Sequence, residues 1–99
     1  MAAVAQTKFK AQARVLKALA HPTRLFIVNE LSRGERCVYE LTEMIGVEMP
    51  TVSRHLSLLR SVGILDDDKR GAQVFYRLRL PCVGKLFKCL DALQSNGHV

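Results

Sequence analysis

The sequence contains no tryptophan, only two tyrosines and four phenylalanines, and no apolar stretch approaching the ~20 residues that a bilayer-spanning helix requires. No membrane partner is expected. Cysteine is scarce and odd in number: Cys37, Cys82 and Cys89 cannot pair into a disulfide framework. These thiols suit a reducing cytoplasm, where cysteines serve as packing atoms, soft-metal ligands or redox groups. The opening residues lack the unbroken apolar region of a secretory signal, because Lys8, Lys10, Arg14 and Lys17 interrupt it. Acidic residues are almost missing from the first 34 positions, which carry six basic side chains against Glu30 alone. There are no paired carboxylates in a cleft-like pattern, no glycine-rich phosphate loop and no nucleophile beside a base, so an enzyme is not expected.

What is present is ordinary globular composition. The 99 residues are 48% hydrophobic and 24% charged, enough for one domain over residues 1–99 and not for two. The formal charge is +6, which favours a polyanionic partner; the plainer alternative is a solvated cationic surface. A core of this size is marginal alone, so a helical dimer is a natural supplement.

Apolar spacing predicts five helices. Phe9, Ala13, Leu16 and Ala20 mark a first helix over 7–20 with one buried stripe and a basic face. Pro22 starts a second, running to Ser32 and burying Leu25, Phe26, Val28 and Leu31, with Arg33-Gly34 as its stop. Cys37 to Ile45 forms a short third helix closed by Gly46. Pro50 then opens a fourth over Thr51 to Ser61, with Val52, Leu56 and Leu59 as its core stripe. The period then changes. Ile64-Leu65 and Val74 to Leu80 read as strands around a charged turn over Asp66 to Gln73. Val83, Leu86, Phe87, Leu90 and Leu93 form the stripe of a fifth helix over 82–95, with a frayed tail beyond. The fold class is therefore mainly α with a β-hairpin wing, in the order α-α-α-α-β-β-α.

Two helices joined by a tight turn (37–62) and followed by a hairpin (64–80) make a winged helix-turn-helix, whose second helix enters a DNA major groove. Thr51, Ser53, Arg54, His55, Ser57 and Arg60 on that helix, with Lys69, Arg70 and Gln73 near the hairpin tip, are the candidate DNA contacts. Hydroxyls, an imidazole and guanidinium groups reach phosphates and base edges, and the helix N-terminus adds affinity for anions. The rival reading is an amphipathic helix whose outer face is merely wet. His21, His55 and His98 read as a helix-junction, a DNA-face and a tail residue.

The runs Cys37-Val38-Tyr39-Glu40-Leu41, Pro50-Thr51-Val52-Ser53-Arg54-His55-Leu56, Leu58-Leu59-Arg60, Gly63-Ile64-Leu65 and Tyr76-Arg77-Leu78, with His21-Pro22-Thr23-Arg24-Leu25 before them, resemble the ArsR/SmtB family over roughly residues 12–80. The resemblance implies a homodimeric repressor, paired through its first and last helices (7–20 and 82–95). It implies binding to a palindromic operator and release by an inducer, usually a metal or metalloid. Two apolar stripes at the chain ends agree with such a dimer. Two departures stand out. Glu48-Met49 replaces the family's usual Ser-Gln ahead of Pro50, and methionine lacks the bidentate amide contact to adenine. Asp66-Asp67-Asp68 places three acids at the base of the wing, expected to face away from DNA or to pair with Lys69 and Arg70.

The arsenic-responsive branch of the family typically carries Cys-Val-Cys in its third helix. Here Tyr39 follows Cys37-Val38 and Thr42 stands three further on, so a three-thiol As(III) site within that helix is excluded. The last helix offers Asp91 without a histidine, which argues against a zinc-type site. Cys82 and Cys89 remain. Seven helical residues turn about 700°, so both thiols face one way, but they stand ~10.5 Å apart along a straight α-helix. One ion at ~2.3 Å from each sulfur cannot bridge them. Cys82 must then sit in an unwound stretch after Pro81, or the site must borrow Cys37 or a partner-chain thiol. Thiolates suit As(III) and related soft metalloids as inducer; no organic cofactor is expected. The alternatives are thiols that merely fill an interface, a redox- or persulfide-responsive repressor of the same fold, and a winged-helix module that binds only protein. Redox relatives pair a second-helix thiol with one in the last helix, and Val28 or Asn29 occupies that place here.

Overall fold

The computed structural model describes residues 2–95; the expected tail, with His98, lies outside the described residues. The chain runs through helix α1 (Ala3–Leu19), helix α2 (Pro22–Leu31), a two-residue strand β1 (Arg36–Cys37), helix α3 (Val38–Ile45) and helix α4 (Met49–Ser61). Strands β2 (Leu65–Arg70) and β3 (Gln73–Leu78), a 3-10 turn (Pro81–Lys85) and helix α5 (Leu86–Ser95) follow.

Local chemistry sets the boundaries. His21 caps α2, its Nδ1 accepting a hydrogen bond from the Thr23 N–H at 3.1 Å, and Pro22 occupies the first turn where its missing N–H is harmless. Gly46 ends α3 at φ +80°, a left-handed conformation that glycine adopts without a Cβ penalty. The core lies where α2, α3, α4 and the hairpin meet. Ile27, Val28, Leu41, Val52, Leu56, Leu59 and Leu65 are fully buried there. Each large aliphatic side chain so buried contributes about 1.5–3 kcal/mol.

Four expectations are corrected. The hairpin turn is two residues, Gly71-Ala72, and not the segment 66–73. The acids and bases of Asp66 to Arg70 are strand residues in register with Arg77 to Gln73, Asp66 facing Arg77 across the ladder. Gly71 at φ +62° begins that turn, matching the type II′ geometry that suits strand twist. β1 was not expected. It pairs antiparallel with β3 (Arg36 with Tyr76, Cys37 with Phe75), so the sheet has three strands in the order β1-β3-β2. Cys37 therefore ends a strand and caps α3 rather than starting the helix. In α2 Ile27 is deeply buried beside the expected Val28 and Leu31, whereas Phe26 is 39% exposed.

The fourth correction concerns the first helix, which starts at Ala3. Its stripe is not buried within one chain: Phe9 is 52% and Leu16 58% exposed. Val15, Ala18 and Leu19 make the contact with the core instead. Among the described residues, no helix is long and apolar enough to cross a membrane.

Candidate nucleic-acid interface

Val52, Leu56 and Leu59 press α4 onto the core and turn its other side outward. Arg54, Ser57 and Arg60 are exposed, while Thr51, Ser53 and His55 are half-buried. The Arg54 guanidinium rests on the helix start, donating from Nη2 to Thr51 Oγ1 at 3.3 Å. Met49, at the first turn, is 41% exposed, and Glu48 makes no side-chain cap.

His55 faces α2 rather than open solvent. Its Nδ1 accepts from Arg24 Nε at 3.1 Å, and its ring lies 4.7 Å from that of His21 between centroids. Arg24 also donates from Nη1 to the carbonyl of Ala18 at 3.2 Å, so one guanidinium ties the end of α1 to α4. Burial lowers the His55 pKa, and the neighbouring His21, Arg24 and Arg54 lower it further. His55 thus ties α4 to α2.

The cations Arg60 and Arg70 are similarly committed. Arg60 Nε pairs with Asp67 of β2 at 3.2 Å. Arg70 grips Glu35 with Nη1 and Nη2, at 2.6 and 3.0 Å, and Asp68 with Nε at 2.9 Å, while its guanidinium covers the Phe75 ring at 4.5 Å. These hydrogen bonds raise the Arg70 pKa, and the Arg70 bond draws the Glu35 carboxyl below its ordinary range. Arg70 thus ties the wing to the segment before β1, and Asp67 and Asp68 are each paired with a guanidinium. Lys69 and Gln73 remain exposed at the tip.

Behind this face, Arg36 Nη2 meets the buried Glu30 of α2 at 3.2 Å, and its Nη1 meets Glu40 of α3 at 3.2 Å. Glu40 also accepts from the Cys37 N–H at 3.0 Å. That backbone bond, followed by the Cys37 side chain and Arg36, lowers the Glu40 pKa.

The thiols do not converge. Cys37 is 4% exposed at the head of α3, and Cys82 and Cys89 are exposed on the 3-10 turn and α5. Among the described residues, no three His, Cys, Asp or Glu side chains lie close enough to hold a metal ion. A site joining all three cysteines within one chain is therefore not formed. Cys82 does leave the α-helix, but a 3-10 turn rises ~2.0 Å per residue and lengthens the separation from Cys89 rather than closing it.

The sequence reading missed three residues. Arg14, Lys17 and Arg24 line a recess of about 580 Å³ beside Leu58, Ser61 and Val62. The signal available was the acid-free first third of the chain, but only the tertiary fold brings these cations to the flank of α4.

A profile described as a bacterial regulatory protein of the arsR family matches residues 21–67. The biofilm growth-associated repressor of Agrobacterium fabrum is 40% identical over 79 residues, 80% of this chain and 68% of that one. The arsenic resistance transcriptional regulator ArsR1 of Pseudomonas putida is 46% identical over 65 residues, 65% of this chain and 51% of that one. This chain spans about half the length of several curated relatives it matches. In three dimensions it is similar to the homodimeric winged helix-turn-helix DNA-binding domain of a possible ArsR-family transcriptional regulator from Mycobacterium bovis. That match has a TM-score of 0.85 at 29% identity, over 98% of this chain and 90% of the other.

Proposed function

The chain belongs to the ArsR/SmtB family of bacterial regulatory proteins, and on that premise we propose that it is a homodimeric, DNA-binding transcriptional repressor released by a thiol-reactive inducer. The observation that carries this reading is the outer face of α4. Arg54 and Ser57 stand exposed there, on a helix locked to the core by three fully buried aliphatic side chains and flanked by a braced wing. In a dimer, two such helices ~34–36 Å apart would read successive major-groove faces of a near-palindromic site.

The exposed, apolar Phe9 and Leu16 of α1 and the 55% exposed Leu93 of α5 are the surfaces a second copy would cover. Cys82 and Cys89 lie on the same terminal elements. They are the thiolates we assign to the inducer, arsenite or another trivalent arsenical. Within one chain the two accessible thiols stand too far apart for a single ion, so a site would combine each of them with a thiol of a second copy. Cys37, buried behind the α3 cap, is left out of it.

The test selects bound duplexes from a random pool and titrates the purified dimer on them. Arsenite, methylarsenite, Sb(III), Cd(II), Zn(II) and a persulfide are then added to wild type, Cys82→Ser and Cys89→Ser. Arsenical-driven release in wild type and none in either variant is expected. Release that survives in both variants rules out the terminal thiols. A response to persulfide alone identifies the redox class instead. Binding that does not weaken between ~50 and ~200 mM salt points to a protein-only partner.

A further inference from the structure

The recess between α1, α2 and α4 is walled by three cations and no acid: Arg14, Lys17 and Arg24, over a floor of Leu58 and Val62. Among the described residues none of these cations makes an ion pair, in contrast with Arg36, Arg60 and Arg70, which are each held by carboxylates. Arg24 is oriented in advance by its bonds to Ala18 and His55. Those bonds use two of the five guanidinium N–H donors and leave the others for a ligand. Ser61 on the rim also lines a second hollow with Ser57 and Arg60, so the recess runs on into the outer face of α4.

We propose that this recess and the α1 stripe leading from it form a second DNA contact, a track for the phosphate backbone beside the major groove read by α4. The proposal rests on the DNA-binding reading above. Lys10, Arg14 and Lys17 recur at four and three residues and share one side of α1, spaced about 6 and 4.5 Å along the axis. Repeated charges on an open stripe fit a repeating anion better than one small molecule. The contact carries no sequence information; it positions the duplex and adds counterion release.

The experiment measures binding of a labelled mixed-sequence duplex against salt concentration for wild type, Arg14→Gln/Lys17→Gln, and the control Lys85→Gln/Lys88→Gln. These are exposed residues, and circular dichroism checks that each variant keeps its fold. The first variant removes two cations from each head of the dimer and is expected to lose about 3.6 from the slope of log K against log salt, at about 0.9 for each phosphate contact. The loss should be of equal size on unrelated duplexes, and the control should keep the wild-type slope. Equal losses in both variants would reduce the effect to net charge and overturn the proposal. An unchanged slope in Arg14→Gln/Lys17→Gln also overturns it. If that variant then loses binding of inorganic phosphate, the recess serves a free anion. A wild type that binds no duplex would instead defeat the DNA-binding reading itself.

Discussion

Arg24 Nε donates to His55 Nδ1 across 3.1 Å, joining α2 to α4 between residues 31 positions apart in the chain. The bond requires His55 to be neutral at Nδ1, with its proton on Nε2. Protonation there would set two cations against each other beside His21 and Arg54.

The first expectation concerns pH. The His55 pKa is lowered in the folded state, first by burial and then by His21, Arg24 and Arg54. Below the unfolded value, about 6.5, the unfolded chain binds the proton more readily. The stabilisation is therefore complete above about pH 6.5 and is lost as pH falls below it. Thermal melts between about pH 7.5 and 5.5 should show a steeper loss of Tm in wild type than in His55→Gln, whose amide oxygen can still accept from Arg24. Identical slopes would remove His55 from this role.

Arg54→Ala should weaken duplex binding about 10- to 100-fold, the range of one good base or charged contact, with an unchanged melting temperature. Fluorescence anisotropy checks the affinity and calorimetry the stability. Wild-type affinity in this variant would misplace the reading face.

Gly71 holds φ +62° at the wing tip with no neighbour in the way of a Cβ. Gly71→Ala should therefore cost backbone strain alone, about 1–2 kcal/mol. In a domain this small, that lowers Tm by ~4–8 °C per kcal/mol. A Tm equal to wild type would mean that the turn relaxes into another geometry.

Leu16→Glu places a charge in the exposed apolar stripe of α1. Sedimentation at micromolar concentration should give a dimer for wild type and a monomer for the variant. A wild-type monomer, or a variant dimer, would put the interface elsewhere.

Much of this architecture was legible in the sequence because strong local signals agreed. Val52, Leu56 and Leu59 repeat with helical spacing, Pro22 and Pro50 fall in first turns, and Gly46 stops α3. The wing was misjudged where local and tertiary signals conflict. Asp66 to Arg70 has the composition of a turn, and only its pairing with β3 makes it a strand. β1 is two residues long, too short to show any period. The candidate face was half legible. Exposed polar residues on α4 mark a face, but nothing in the chain order shows that His55 turns toward Arg24, or that Arg60 and Arg70 are taken by Asp67 and Glu35. Arg14 and Lys17 look like the wet side of a helix until α4 is laid beside them.

The short strand β1 has a mechanical consequence. It is fused to the start of α3 through Cys37 and laced to the far side of β3, while β2 leads out of α4. The hairpin is thereby tied to the helix pair through both of its strands. On the dimeric reading proposed above, a signal at the terminal helices is expected to turn each head as one piece and so to change the pitch between the two heads.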